Sequence, residues 1–327
     1  MHGVLLLDKP LGWSSNQALQ KVKGLLGAQK AGHTGTLDPL ATGVLPLCFG
    51  AATKFSQGQL DADKCYDAVL RLGIKTSTAD AEGEVLQERP VRVQAADLLA
   101  AVRQFSGPQW QTPPMHSAIK KDGRALYEYA RAGVVLQRQA RAVQLDDLTL
   151  AWLPQDASPA SGQPALALQV RCSKGTYIRT LAEDIGEFLG CGAHLAALRR
   201  TQTGPFALAQ CTTLEAFVAM TEAQRLACLL PVSALLPDHS VLHLGAEDAA
   251  RFLTGMRRLV PGPDQPKVAV YGPSDGAPAL LGVGHITHGE LIADRLLSPL
   301  EISQMQMQAA APSLCQVAAA EIEVKPV

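Results

Sequence analysis

Asp38 is the acidic residue whose surroundings most need a chemical explanation. It lies in the stretch GHTGTLDPLATGVLPLC, residues 32–48, which holds no other acid and no Lys or Arg. An ionised carboxylate in such apolar company is costly unless it is exposed, paired or hydrogen-bonded. Two explanations fit: Asp38 caps a helix with Pro39 at its first position, or its carboxylate is held in a fixed place to act on a substrate. His33, in the same stretch, is either a packed core residue or a ligand contact.

Two further stretches combine aromatic and charged side chains. CSKGTYIRTLAEDIG, residues 172–186, places Tyr177 two residues before Arg179, so that both side chains point the same way if the segment is a strand. An aromatic ring beside a guanidinium suits stacking on a base and pairing with a carboxylate or a phosphate. DKCYDAVLRLG, residues 63–73, contains Tyr66, which packing in a strand explains equally well.

The sequence lacks the motifs of phosphate-loop, dinucleotide-binding and cysteine-based metal sites. Neither the phosphate loop GxxxxGK[ST] nor the dinucleotide pattern GxGxxG occurs in the chain. The seven cysteines include no CxxC pair, and Cys191 and His194 have no second pair of ligands beside them. We therefore expect no metal site and no disulfide framework, and the unpatterned thiols are typical of a reducing compartment.

Charge is distributed unevenly along a chain of net charge -1. Residues 1–60 contain five lysines against two aspartates, and residues 111–145 contain six Lys or Arg against two acids. These segments either form one basic face suited to phosphates or are scattered solvated charges. The first residues, MHGVLLLDKP, are too short an apolar run for a membrane span or a secretion signal, so we expect a cytoplasmic protein without a membrane partner.

Hydrophobic periodicity predicts helices and strands without a regular βαβ alternation, which indicates an α+β fold. The predicted helices are SSNQALQKVKGLLG (14–27), AADLLAAVRQFSG (95–107), RALYEYARAG (124–133), IRTLAEDIGEFLG (178–190), AHLAALRRTQTGPF (193–206) and GAEDAARFLTG (245–255). The predicted strands are GVLLLDK (3–9), a hairpin within 64–88, ARAVQLDDLTLAWL (140–153), ALALQVRC (165–172), KVAVYG (267–272), ALLGVGHI (279–286) and ELIADRLLS (290–298).

Composition divides the chain into a main body and a smaller β-rich unit. The main body covers 1–229 and includes a Pro-, Lys- and Arg-rich excursion near 109–141. The small unit covers 230–300, and residues 301–327 are predicted to be a tail without regular structure.

Five motifs in a fixed order carry a resemblance to a known family. They are LLLDKPLGWSSN, GHTGTLDPLATGVLPLCFGAATKF, KCYDAVLRLGIKTSTADAEG, CSKGTYIRTLAEDIG and HLAALRRTQTGPF. Together they resemble the bacterial TruB family of tRNA pseudouridine-55 synthases, over roughly Val4 to Phe206. The resemblance implies a mixed, largely antiparallel sheet with helices, a thumb-like insertion near 109–141 that closes over RNA, and a small PUA-like RNA-binding domain.

The resemblance also implies roles for residues at matching positions. Asp38 matches the family's catalytic aspartate, and Arg179 matches the arginine paired with it. Tyr66 matches a tyrosine that stacks on the target base and takes part in proton transfer. The remaining matches are substrate contacts or motif positions, namely His33, Tyr177, Leu198, Lys9 and Pro10.

The implied reaction is the isomerisation of uridine 55 in the TΨC loop of tRNA. The bond from ribose C1′ to N1 of uracil breaks, the base turns, and C1′ rebonds to C5; no net redox change occurs, so no cofactor is expected. Asp38 is the expected nucleophile, attacking either C1′ or C6, on a base flipped out of its stack. Competing functions are an RNA-binding module without catalysis and a nucleoside or glycoside hydrolase, which would need a second carboxylate or a metal. The expected partner is the T-stem-loop of tRNA, bound by a monomer.

Overall fold

The structure, a computed structural model, describes residues 1–154, 163–274 and 278–310. The helices are α1 (Ser15–Leu25), α2 (Ser56–Leu60), α3 (Ala95–Phe105), α4 (Leu126–Arg131), α5 (Ile178–Phe188), α6 (Leu214–Ala219), α7 (Glu222–Ala227), α8 (Ala246–Leu253) and α9 (Pro299–Ala310). The first strands are β1 (Gly3–Lys9), β2 (Ala31–His33), β3 (Ala41–Phe49), β4 (Lys64–Leu72), β5 (Ile74–Thr76), β6 (Val85–Glu88), β7 (Gly107–Gln111), β8 (Lys120–Lys121), β9 (Arg124–Ala125) and β10 (Arg141–Trp152). The remaining strands are β11 (Ala165–Cys172), β12 (Ala193–Thr203), β13 (Phe206–Ala207), β14 (Thr212–Thr213), β15 (Ser240–His243), β16 (Arg258–Leu259), β17 (Gln265–Gly272), β18 (Ala279–Thr287) and β19 (Glu290–Leu296).

A mixed ten-stranded sheet forms the centre of the main body. Its strand order is β14-β1-β3-β12-β4-β11-β10-β7, with β13 beside β12 and β2 beside β3. Pairing is parallel between β1 and β14 and between β3 and β12, and antiparallel between the other neighbours. The predicted α+β fold with a mixed, largely antiparallel sheet is confirmed.

Local sequence signals fix several of the element boundaries. β1 is buried almost throughout and ends immediately before Pro10, which cannot continue the ladder. α1 begins with a capping box, in which the Ser14 hydroxyl accepts from the Gln17 backbone and the Gln17 side chain accepts from the Ser14 backbone. α3 ends just before Gly107, which adopts a φ of 90° that favours glycine.

The segment 193–206, predicted as a helix, is instead the strand β12 in the interior of the sheet. Its run of Ala, Leu and Arg has high helix propensity, but propensity is a weak preference that tertiary packing overrides. β12 lies between β3 and β4, so the segment gains its backbone hydrogen bonds from both neighbours. The hairpin predicted within 64–88 is formed by β5 and β6 alone, because β4 pairs with β11 and β12.

The excursion leaves the sheet after β7 and returns at β10. Arg141 pairs with Gln111, so the two ends are adjacent strands, and residues 112–140 project between them. This projection, called the thumb segment below, contains the short β8–β9 hairpin and α4.

A second sheet of five strands, in the order β15-β17-β18-β19-β16, forms the C-terminal part. A hydrophobic cluster joins it to the main body, since Val4 and Val44 of the large sheet and Val268 and Leu291 of the small sheet belong to the same buried group. The prediction of a tail without regular structure from residue 301 is corrected for its first ten residues, which lie in α9. Residues 311–327 of that predicted tail lie outside the described residues.

Candidate active site

Asp38 lies in a turn, not at a helix start as its local pattern suggested. The backbone N–H of Ala41 donates to the Asp38 carbonyl at 3.0 Å, and β3 begins directly afterwards. Asp followed by Pro is a favoured pair for the first two positions of such a turn. The helix-cap interpretation is therefore wrong, because a buried strand claims the aliphatic residues that resembled a first helical turn.

The loop that carries Asp38, residues 34–40, is held by contacts from distant parts of the chain. The Ser15 hydroxyl donates to the Leu37 carbonyl at 3.0 Å and accepts from the Leu37 N–H at 2.8 Å. The Gly12 N–H donates to the Pro39 carbonyl at 2.9 Å. The Asp38 carboxylate thus projects from a backbone fixed on both sides, which is the condition for a reactive group to act without reorganisation.

Arg179 is the ion-pair partner of Asp38. Its Nη2 lies 2.9 Å from Asp38 Oδ2, and the same nitrogen donates to the His116 carbonyl at 2.7 Å. Arg179 lies in the first turn of α5, and Tyr177 is the residue before that helix. The helix predicted over 178–190 is therefore present, so the strand geometry considered for Tyr177 and Arg179 does not apply, and the pairing of Arg179 with Asp38 implied by the resemblance is present.

A second carboxylate, that of Asp80, lies on the other side of Arg179. Asp80 Oδ2 is 3.7 Å from Arg179 Nη1, and its Oδ1 accepts from Thr78 Oγ1 and from the Glu82 N–H. Only 5% of the Asp80 side chain is exposed, against 41% of the Asp38 side chain. Asp38 is therefore the carboxylate that a ligand reaches, and Asp80 is committed to holding Arg179.

The surroundings of Asp38 shift the pKa of its carboxyl group in opposite directions. Burial raises the pKa of the Asp38 carboxyl, the positive charge of Arg179 lowers it, and the negative charge of Asp80 raises it again. The net pKa shift is upward although two-fifths of the side chain is exposed, because the surrounding protein displaces much of the solvent around the carboxylate. Arg179 thus favours the ionised carboxylate, as predicted, but does not fully offset the effect of burial.

Tyr66 and Lys9 lie on two strands of the central sheet and are both buried. Burial raises the pKa of the Tyr66 phenol, and the Arg200 guanidinium beside it lowers that pKa in part. Burial lowers the pKa of Lys9 to about 8, with Asp38 acting in the opposite direction. Lys9 Nζ donates to the carbonyls of Pro10 and Trp13, so it also fixes the turn that follows β1.

The other predicted contact residues lie around the same loop. His33 ends β2, and its buried Nδ1 has no hydrogen-bond partner among the described residues, which leaves that atom available to a ligand. Burial and the charge of Arg200 lower the pKa of His33, which favours the neutral imidazole. Leu198 pairs with Ala41, immediately after the Asp38 turn. The side-chain amide of Gln111, at the end of β7, donates to the Tyr177 carbonyl and accepts from the Tyr177 N–H, which fixes the Tyr177 backbone.

Sequence reasoning missed three residues that shape this site: Ser15, Asp80 and Gln111. Each acts through a contact to a residue at least 22 positions away, which no local pattern encodes. Within the described residues, no group of three His, Cys, Asp or Glu is placed to hold a metal ion. No helix in that part of the chain is long and apolar enough to cross a membrane.

The geometry agrees with the sequence relationships of the chain. A family profile described as "TruB family pseudouridylate synthase (N terminal domain)" matches residues 23–178, and one described as "tRNA pseudouridylate synthase B C-terminal domain" matches residues 179–237. A protein of Verminephrobacter eiseniae named tRNA pseudouridine synthase B is 60% identical over 308 residues, which are 93% of this chain and 91% of that protein. The chain belongs to the TruB family of pseudouridylate synthases. A second TruB protein, from Ralstonia nicotianae, is 58% identical over 300 residues, with coverage of 91% of this chain and 94% of that protein.

Solved structures place the TruB chain in the same fold. A chain in the crystal structure of a Cbf5-Nop10-Gar1 complex has a TM-score of 0.63 and 25% identity, and the match covers 90% of this chain and 84% of that chain. A chain in a structure of an H/ACA RNP bound to a substrate RNA has a TM-score of 0.63 and 24% identity, covering 91% and 85%. The predicted pseudouridine synthase fold with a small β-rich, PUA-like C-terminal unit is confirmed.

Proposed function

We propose that this protein converts uridine to pseudouridine at position 55 in the TΨC loop of tRNA, with Asp38 as the nucleophile. The observation that carries the proposal is the asymmetry of the two carboxylates on Arg179. The Asp38 side chain is 41% exposed on a fixed turn, whereas the Asp80 side chain is almost completely buried. The names of the relatives, tRNA pseudouridine synthase B, support tRNA as the substrate.

Asp38 performs the step that a single carboxylate can perform. The target base must leave its stack to reach a carboxylate set in this pocket, and the cost of a few kcal/mol is offset by contacts that the pocket supplies. The ionised Asp38 then attacks C1′ or C6, and the bond from C1′ to N1 breaks. After the base has turned, C1′ rebonds to C5 and the bond to Asp38 breaks, which restores the carboxylate. The reaction gains and loses no electrons overall, so the chemistry itself requires no cofactor.

The surrounding residues have roles that follow from their positions. Arg179 keeps the carboxylate oriented and favours its ionised form. Tyr66 stacks on the turned base and accepts its C5 proton, and its burial beside Arg200 supports this role. The neutral His33, with its free Nδ1, offers a hydrogen bond to the opened loop of the RNA. Tyr177, Leu198, Lys9 and Pro10 complete the substrate side of the pocket.

The division of labour in the chain is part of the proposal. Residues 1–229 carry the catalysis, the insertion near 109–141 closes over the RNA, and residues 230–300 bind RNA as a PUA-like domain. The exposed Lys120, Lys121 and Arg124 of the thumb segment support this, because exposed cations on a projection suit contacts with phosphates. The partner is the T-stem-loop of tRNA, met by a monomer in the cytoplasm.

The two alternative functions are not favoured by the site. A glycoside hydrolase would present two carboxylates to one bond, whereas Asp80 is 5% exposed and hydrogen-bonded to its own loop. A binding module without catalysis gains nothing from a carboxylate whose pKa is raised by burial.

An unmodified tRNA transcript, incubated with the protein without any cofactor, tests the proposal directly. Site-specific chemical mapping of pseudouridine is expected to show one modification, at position 55. A matched transcript with cytidine at that position controls for modification elsewhere. A product with free uracil, or pseudouridine only at other positions, would contradict the proposal.

A further inference from the structure

One row across the central sheet connects the pocket with a buried arginine. In this row Lys9 on β1 pairs with Gly43 on β3, Gly43 pairs with Arg200 on β12, and Arg200 pairs with Tyr66 on β4. Directly opposed residues on neighbouring strands project from the same face of a sheet, about 4.5–5.5 Å apart at Cβ. Gly43 has a φ of 102°, and a Cβ on it would lie 2.1 Å from the Arg200 carbonyl oxygen. The row therefore presents two cations and one phenol, with no side chain between the cations.

Arg200 is a buried cation with no carboxylate partner within the described part of the chain. Arg200 is 1% exposed, and none of the ion pairs between described residues includes it. Its Nε donates to the Val44 carbonyl at 2.8 Å, and its Nη2 donates to the Gly35 carbonyl at 3.2 Å. Gly35 lies in the Asp38 loop, so Arg200 is tied directly to the element that carries the nucleophile.

Neighbouring positive charges increase the free-energy cost of burying the Arg200 guanidinium. Lys9 and Lys64 both feel its positive charge, which lowers the pKa of each in addition to the larger effect of burial. A buried charge is normally paired with an opposite one, because the cost of removing it from water is several kcal/mol. Packing alone does not explain a cation placed here against two others, whereas a group in the pocket that becomes negative during the reaction does.

Tyr66 is the group that Arg200 faces most directly. The two residues are opposed in the strand register, and the positive charge of Arg200 lowers the pKa of the Tyr66 phenol. The other titratable groups that act on Tyr66 are Cys172 on β11 and Asp38 on its loop, and both disfavour the phenolate. Arg200 is therefore the group that favours negative charge on the Tyr66 oxygen.

We propose that Arg200 is a positioning residue for the second half of the reaction, because it holds the Tyr66 oxygen and stabilises the phenolate that accepts the C5 proton. This inference rests on the proposed function of the site. The Tyr66 phenol loses its proton to water, and the phenolate then takes the proton from C5 of the turned base. The electron pair of the broken C5–H bond returns to the ring, N1 acquires a proton from water, and neutral Tyr66 is restored.

The test compares RNA substrates that carry hydrogen or deuterium at C5 of the target uridine. Arg200→Met keeps an unbranched apolar stem and removes the charged guanidinium, so removal of the C5 proton becomes slower and more rate-limiting. We expect kcat to fall roughly 10- to 100-fold, less than the roughly 100- to 10,000-fold of a whole general-base contribution because Tyr66 remains in place, with KM nearly unchanged. We also expect the deuterium isotope effect to increase and the alkaline rise of the rate to move to higher pH.

Arg199→Met is the matched control on the same strand. Arg199 pairs with Asp8 at 2.7 Å and is 40% exposed at its side chain, on the opposite face of the sheet from Arg200. Its removal is expected to leave the isotope effect at the wild-type value. An equal increase in both variants would overturn the assignment to Arg200.

Tyr66→Phe separates an effect through Tyr66 from a general loss of structure. In the Tyr66→Phe protein, the further change Arg200→Met is expected to have no additional effect on the isotope effect, measured in single turnovers. If Arg200→Met slows the Tyr66→Phe protein as much as the wild type, or slows the wild type without changing the isotope effect, the proposal is wrong. Thermal melting monitors folding. If Arg200→Met does not fold, the isotope effect is measured on Arg200→Lys instead, and a smaller increase of the isotope effect is expected there. Wild-type protein that forms no pseudouridine would instead overturn the proposed function.

Discussion

The Asp38 loop and the thumb segment, the two parts that the proposed function assigns to contact with RNA, are held in the structure to different degrees. The loop at 34–40 is fixed by side chains and backbone groups from three distant elements, including Ser15 and Arg200. The thumb segment at 112–140 contains exposed cations, and its Val135 is 79% exposed. A fixed loop suits catalysis, because a nucleophile must be in place before the substrate arrives. An exposed segment suits RNA binding, because the RNA itself can organise the contacts between cations and phosphates.

The largest effect is expected from Asp38→Asn, which leaves the loop intact but removes its reactive charge. Asn fits the same turn position, so the protein should fold and bind tRNA with similar affinity. It should form no detectable pseudouridine in single-turnover mapping. Asp61→Asn, at an exposed carboxylate 2.9 Å from Lys174, is the matched control and should retain full activity. Activity in a folded Asp38→Asn protein would end the nucleophile assignment.

Charge reversal in the thumb segment should affect capture and not chemistry. Lys120→Glu, Lys121→Glu and Arg124→Glu together should raise the Kd for tRNA roughly 100-fold at low salt and flatten its dependence on salt concentration. The single-turnover rate at saturating protein should remain near the wild-type value. Binding measured by filter retention over a salt series checks this. Indifference of the Kd to both salt and the three changes would show that the cations do not contact phosphates.

The pH dependence of the reaction should report the opposing charges at Asp38. Since the nucleophile must be ionised and burial raises its pKa, the rate should fall about tenfold per pH unit below a midpoint that lies above the ordinary aspartate range. Asp80→Asn removes a negative charge that raises this pKa, so the midpoint should move to lower pH. A midpoint unaffected by Asp80→Asn would mean that another group sets the acidic limb.

The smallest effect is expected from Ser15→Ala, which loosens the Asp38 loop. The change removes both hydrogen bonds to Leu37, and the net cost to stability should be about 1–3 kcal/mol because the buried backbone groups lose their partner. Loss of a few-fold in kcat should accompany a lower Tm, with no change in the Kd for tRNA. Ser14→Ala, at the neighbouring helix cap, controls for loss of helix stability alone. Equal losses of kcat in the two variants would show that the loop is not positioned by Ser15.

The sequence predicted the elements best where local pattern and tertiary environment agree. β1, α1, α3 and α5 carry their own boundary signals, such as Pro10 after β1 and the Ser14 cap of α1. The prediction was wrong where the environment prevails, because β12 has helix-forming residues and yet fills the space between two strands. The same reason accounts for Asp38, whose helix-start pattern is overridden by the strand that follows it.

The candidate site was predictable only as far as the resemblance reached. The motifs single out Asp38 and Arg179, and the structure brings them within 2.9 Å. Their support could not be read from the chain, since Ser15 and Asp80 look locally like an ordinary helix-start serine and a loop aspartate. Such residues become recognisable only when the fold has brought separate segments together.

The first residues of the chain are fastened to the last helix that the structure describes. The His2 backbone N–H donates to the Gln308 side chain at 3.0 Å, and the Gln308 amide donates back to the His2 carbonyl at 2.9 Å, across 306 positions. β1 follows directly and pairs with β3 along its whole length, so α9 is tied through His2 to a strand of the central sheet. Loss of α9 by proteolysis would therefore leave the His2 backbone groups without these partners while the pairing of β1 with β3 remains.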